Sequence, residues 1–368
     1  MKHARSNIMK NIIVCVIMTG TVAIAHAIEF PVFKLSGYIQ ARATVLDSNG
    51  NTGVPEYKNY NAFGIAVDSN GTGINISAFR PLSQTYSQTP LSFIAINDFD
   101  VHTTLFKGLL YTGIGVYCSS DFLIQEKYAG DTSALAGTKM GKDDNVGNKA
   151  TFGYMIKVNP LKGLSFAVYV PVADGNFTGY GDTSTGTVGY TNRSAEDAYS
   201  NVDYAAKYVI NGIGTVYTGI ILDSDDYYVN FDYTGIKNFT CQAGFDYNSS
   251  DKISFLGMIA GYQFDKTDIL TQGQLIIGDS AVELKYGAVE AAYHVLDFLT
   301  VKIDTDVQSA DLSHGLDTLH ITPAVSLNNS DWMGPVHDVT LGFAISKNLS
   351  DDGSLSWSIP LTVSILVL

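Results

Sequence analysis

Charge is scarce in this chain. Only 16% of its 368 residues are Asp, Glu, Lys or Arg, and 22 basic residues face 36 acidic ones, for a net charge of −14. Binding to nucleic acid through phosphate contacts needs the opposite sign, so that class is excluded. Disorder is excluded too, because 46% of the residues are hydrophobic and the chain holds 22 Tyr and 18 Phe. Cysteine numbers three, too few for a disulfide scaffold. Cys118 and Cys241 are expected near opposite ends of different strands, where no bridge can form. Long apolar runs are almost missing. The single one, Ile12 to Ala25, lies at the N-terminus, and nothing after it reaches the length of a membrane helix. Any membrane-crossing part must therefore be a closed β-barrel.

The apolar run has the context of a secretory signal. Lys2, Arg5 and Lys10 precede it and Ala25-His26-Ala27 follows, which are the basic, hydrophobic and small-residue parts of an exported leader. Cleavage after Ala27 is expected, with an uncleaved anchor as the alternative. Residues 1–27 carry three basic residues and no acidic one, so the exported portion, 28–368, is more acidic than the whole. Its only arginines are Arg42, Arg80 and Arg193.

What the exported portion does have is alternation. Phe33, Leu35, Gly37, Ile39, Ala41, Ala43 and Val45 are apolar or small, while Lys34, Ser36, Tyr38, Gln40, Arg42 and Thr44 between them are polar or amphipathic. Period two is the mark of a half-buried strand. It returns around Lys149, Thr151 and Lys157, around Asp203 and Lys207, and around Lys302, Asp304 and Asp306. It returns again from Val339 to Ile345 and from Leu355 to Val367. The better segments run to about ten residues, as membrane-crossing strands must, where ordinary strands have about five or six. Short links such as Leu105–Leu109, Pro160–Leu164, Ile210–Gly214, Gly235–Phe239 and Val295–Leu299 take turns with long polar ones at 47–60, 119–148 and 172–200. Tight turns at one end and extended loops at the other are the habit of a membrane barrel. Tyr233, Phe239, Tyr293, Phe298 and Trp332 fit an interfacial aromatic girdle.

On these features the chain resembles the Gram-negative outer-membrane porins. The likeness is architectural: an export signal, alternating strands, short and long links, and a last strand reaching the end. It departs in ending on Leu368, out of phase with Val367 and Ile365, where many such proteins end in an in-phase Phe or Trp. The expected fold is all-β, a transmembrane antiparallel up-and-down barrel of about 16–18 strands. Export by the Sec pathway to the bacterial outer membrane follows from the resemblance, with lipid around the wall and either one copy or a homotrimer.

A barrel of that size is wet inside or plugged. Only Ile28 to Val32 precede the first strand, so no plug domain is expected there and the bore is read as open. The resemblance assigns its constriction to the link 119–148, whose Asp121, Glu126, Lys127, Asp131, Lys139 and Lys142 would then border the pore. A solvated external loop is the alternative. Selectivity is expected from charges on the polar phase of the strands: Lys34, Arg42, Lys149, Lys157, Asp203, Lys207, Asp232, Lys302, Asp304 and Asp306. The acid surplus favours cations. No His or Cys spacing resembles a metal site, and no cofactor or catalytic constellation is expected. The function expected is a passive channel for small hydrophilic solutes or ions. A surface-exposed structural or adhesive barrel acting through its long loops, and a secreted soluble β-sandwich or β-solenoid, stay open beside it.

Overall fold

The computed structural model describes residues 32–53, 60–69, 71–81, 95–116, 151–175, 190–222, 225–278, 282–308, 317–328, 336–349 and 353–367. Their first seven strands are β1 (Val32–Asp47), β2 (Tyr60–Ser69), β3 (Thr72–Pro81), β4 (Ala95–Leu105), β5 (Leu110–Val116), β6 (Thr151–Leu161) and β7 (Leu164–Gly175). A short β8 (Tyr190–Asn192) and one helix, α1 (Ala195–Ser200), lead into β9 (Asp203–Ile210). Then come β10 (Gly214–Ile221), β11 (Asp226–Tyr233), β12 (Phe239–Asn248), β13 (Ile253–Gln263), β14 (Thr267–Ile277) and β15 (Val282–Leu296). The last are β16 (Leu299–Gln308), β17 (Thr318–Leu327), β18 (Val336–Gly342), β19 (Ala344–Asn348) and β20 (Leu355–Val367).

All twenty belong to one antiparallel sheet, and all but the β8–β9 and β18–β19 neighbours in the chain pair with each other. The sheet closes because β1 also pairs with β20, from Gly37 opposite Val367 to Asp47 opposite Ser358, across a bulge between Thr44 and Leu46. Closure leaves the described strands no bare edge, so each is flanked by hydrogen-bonding partners on both sides of the wall. Two wall positions are shared by broken strands: β8 and β9 both pair with β7, and β18 and β19 both lie between β17 and β20. The ring therefore has eighteen positions, at the upper bound of the expected number.

The alternation is turned inside out relative to a soluble core. Along β16, Val301 and Ile303 are 44% and 46% exposed, while Lys302, Asp304 and Asp306 are only 7%, 3% and 4% exposed. Apolar side chains face outward and polar ones are buried on the concave face, which suits a wall standing in lipid. Outward aromatics gather at the short-turn end. Tyr233 and Phe239 meet edge-on at 6.0 Å, and the tilted rings of Tyr262 and Phe264 lie 4.8 Å apart. Tyr293 is exposed at the same end; Trp332 lies outside the described residues.

The short turns follow from local chemistry. Between β6 and β7 the link is Lys162-Gly163, and Gly163 has φ +86°, a left-handed conformation that glycine adopts without strain. The segment 61–80, where the pattern is hard to read, is the hairpin of β2 and β3.

Two expectations need correction. The alternation from Val339 to Ile345 reads as one strand, yet the ladder breaks at Phe343, between β18 and β19. Its neighbours supply the reason: Pro323 on β17 and Pro360 on β20 flank the break, and neither has an N–H to give. Phe343 instead donates its own N–H to the Pro323 carbonyl at 2.9 Å. The region 172–200 reads as one polar loop, but β7 extends into it and α1 forms within it. Ser194 caps α1 by accepting the Asp197 N–H at 3.1 Å, and Arg193 donates to Asp174 through Nε at 2.8 Å and Nη2 at 2.5 Å.

Candidate functional site: the charged inner wall

Side chains on the buried phase converge from all around the ring, and three groups of them carry charge. The densest lies on β14 to β17. Cross-strand register sets Glu290 opposite Asp304, Ala288 opposite Asp306, Ala292 opposite Lys302 and His294 opposite Thr300. On the far side of β16, Asp304 faces Thr322 and Asp306 faces His320. Two carboxylates in this group have imidazole partners: Asp268 Oδ2 lies 2.8 Å from His294 Nε2, and Asp306 Oδ1 lies 3.0 Å from His320 Nδ1. Glu290 and Asp304 are both buried.

A second group spans β2 to β6. His102 stands between Asp100, at 2.5 Å, and Asp68, at 3.4 Å, and its ring stacks on Tyr111 with centroids 5.4 Å apart. Lys157 sits 4.9 Å over the other partner of that stack, the Tyr111 ring. A third group, on β9 to β12, brings in Asp203, Asp226, Asp246 and Asn248 as buried residues, with Asn248 donating to Asp226 at 2.6 Å. Gln242 donates to Asp232 at 3.2 Å.

Between the charged groups the wall is padded by tyrosine. Met155, Ala167, Tyr169, Ala205, Ile221 and Tyr228 form one buried cluster, with Tyr111 and Tyr217 against it. Tyr228 lies directly opposite Gly219, and a Cβ built on Gly219 would come within 2.6 Å of the Tyr228 hydroxyl. The missing side chain is what lets the ring lie flat along the wall instead of standing across the bore.

The sequence-derived lumen positions distribute as follows. Asp203, Lys302, Asp304 and Asp306 are buried, Lys157, Lys207 and Asp232 are half-buried, and Lys34 is exposed. Arg42 holds the register position opposite Thr362. Lys149 and the candidates of the long link, Asp121, Glu126, Lys127, Asp131, Lys139 and Lys142, lie outside the described residues. The structure brings Lys302, Asp304 and Asp306 together and leaves Lys157, Lys207 and Asp232 on other sectors of the ring. Sequence reasoning misses Glu290, because Ala288, Ala291 and Ala292 around it blunt the contrast between phases. It misses Asp100 and His102 as a pair because their meeting depends on β2 and β5 as well as on β4.

No protein-family model matches the chain, and no curated protein matches its sequence. Solved structures do match its shape. A BenF-like porin from Pseudomonas fluorescens superposes with a TM-score of 0.55 at 9% identity, covering 91% of this chain and 98% of that one. OccK2 (OpdF) of Pseudomonas aeruginosa gives 0.54 at 9% identity, over 91% and 98% of the two chains. The fold is that of an outer-membrane porin. OpdK of Pseudomonas aeruginosa, solved with vanillate, agrees at a TM-score of 0.52 and 11% identity, again over 91% of this chain and 98% of its own. With residues so dissimilar, the likeness fixes the architecture, and the chemistry of this barrel rests on its own inner wall.

Proposed function

We propose that the protein is a passive channel of the bacterial outer membrane, reached by Sec export, that passes small hydrophilic solutes and ions and prefers cations. The barrel supports the location and the route. The preference rests on one observation: among the described residues buried as a whole, six aspartates, Asp100, Asp203, Asp226, Asp246, Asp304 and Asp306, stand against one lysine, Lys302. Fixed charge of one sign inside low-dielectric walls concentrates the opposite ion. Vanillate and glucuronate, the ligands named with OpdK and OccK2, are carboxylates. An acidic wall repels such anions, so their chemistry does not carry over to this chain.

Single-channel recording of the purified protein in a planar bilayer under a KCl gradient tests the proposal. Stepwise conductance with a cation-directed reversal potential is the expected result. Correctly inserted barrels that stay silent would overturn it in favour of a surface structural protein. Replacing Asp121, Glu126 and Asp131 by Asn, Gln and Asn in the same recording tests the long link: a smaller cation preference puts it beside the pore, and an unchanged reversal potential puts it outside.

A further inference from the structure

We infer that the short-turn rim of the barrel is a docking surface for anionic phospholipid headgroups, held by Lys107, Lys162, Lys237 and Lys266. This rests on the outer-membrane location proposed above and not on conduction. Four of the short links repeat one arrangement, an exposed apolar side chain followed by an exposed lysine. Phe106 precedes Lys107 between β4 and β5, Leu161 precedes Lys162 at the turn from β6 to β7, and Ile236 precedes Lys237 between β11 and β12. Phe264 stands two residues before Lys266 between β13 and β14. Hairpin connectivity puts all four links at the same end of the wall, the end of the tight periplasmic turns.

Little of either half is used within the protein. Phe106 at 70% and Leu161 at 68% are the two most exposed large apolar side chains among the described residues, and Ile236 and Phe264 are each 53% exposed. None of the four lysines makes an ion pair among the described residues. The backbone adds an independent sign. Phe106 and Lys107 take φ +53° and +57°, a left-handed conformation that strains residues with long side chains and suits glycine or asparagine better. That conformation holds the Phe106 ring out without burying it, so the contact it serves lies outside the chain.

The partner's class follows from setting the two halves side by side. An apolar side chain at the edge of the wall dips toward hydrocarbon, and the ammonium beside it stays at the depth of the headgroups, where phosphate is the acceptor. Charge decides which headgroup. The exposed acids at the described short links are Asp265 and Asp297, so four lysines leave this rim positive although the whole chain carries −14. A zwitterionic lipid brings a competing ammonium of its own. An anionic lipid brings none and meets the excess directly.

Spin-labelled phosphatidylglycerol and phosphatidylcholine, each added to the full chain refolded in phosphatidylcholine vesicles, test this by the share of label immobilised against the protein. The wild type is expected to favour the glycerol lipid by about fivefold, the ratio that one lysine contributes near an anionic surface. Raising the salt to about 1 M KCl should abolish the preference. The quadruple variant K107Q, K162Q, K237Q and K266Q should hold both labels equally while keeping the β-sheet circular dichroism of the wild type. K252Q, a change of an exposed lysine at the opposite end, should leave the preference intact. Equal retention of the two labels by the wild type, or a preference that survives the quadruple variant, would overturn the docking surface. Lysine-dependent binding to isolated cell-wall sacculi without a lipid preference would overturn it in favour of acidic wall peptides. KCl conductance measured in parallel separates this from the channel reading. Barrels that prefer the anionic lipid yet never conduct overturn the channel and keep the rim, whereas conducting barrels without a preference overturn the rim alone. A chain that enters no vesicle overturns the membrane location and the rim with it.

Discussion

Tyr228 and Gly219 show how much of this wall is decided by single atoms. A methyl group at position 219 would occupy the space of the Tyr228 ring, so Gly219→Ala is expected to swing the ring into the bore. Overpacking of this kind costs about 1–3 kcal/mol. The conductance of Gly219→Ala should fall below wild type, and the double variant with Tyr228→Ala should recover it; an unchanged single variant would show that the ring already stands clear. A second residue-scale expectation concerns Asp306, which is buried and paired with His320. Asp306→Asn keeps the shape and removes the charge, so its reversal potential should move toward zero under a KCl gradient. The sequence made Asp306 readable because Thr305 and Val307 beside it contrast with it in the period-two pattern. Glu290 was not readable, because a carboxylate set among alanines breaks no visible alternation.

At the scale of the element, what matters is which phase of a strand a substitution falls on. Ile303 faces outward from β16 and its neighbours Lys302 and Asp304 face inward. Ile303→Arg puts a charge into hydrocarbon and is expected to cost about 2–4 kcal/mol if it lies near the midplane. Denaturant unfolding of barrels refolded in lipid vesicles measures it, with Asp306→Asn as a reference expected to cost far less; equal losses would contradict the assigned phases. Strand existence was legible in the sequence for the same reason, since a wall with lipid outside and water inside imposes strict alternation on nearly every segment. The break at Phe343 was not, because its cause sits on other strands. Pro323 and Pro360 lie 20 residues before and 17 after it in the sequence, and only the register brings them alongside. Helix α1 was equally hidden, being a single capped stretch inside a segment whose composition reads as loop.

For the whole molecule, the six aspartates and the one lysine buried among the described residues act as a field rather than as separate contacts. In the proposed water-filled channel such a field is screened, over about 10 Å at 0.1 M salt and about 3 Å at 1 M. Cation preference should therefore decline as ionic strength rises at a constant salt ratio across the bilayer. Reversal potentials recorded from 0.1 to 1 M would check it, and a preference indifferent to salt would place the selective charges in a narrow constriction rather than along the wall.

The joint between β1 and β20 has a consequence for how the molecule is made. Every other joint in the ring links strands that are near neighbours in the chain, so each can form as soon as its hairpin is synthesised. The last joint unites the two strands farthest apart. Until β20 arrives, the nascent wall is a curled ribbon with two raw margins, each a template for pairing with a stranger. A chain cut short before Leu355 would not become a narrower barrel; it would keep both margins open and be expected to aggregate. For this reason the final thirteen-residue strand is a condition of solubility during biogenesis as much as a piece of the finished wall.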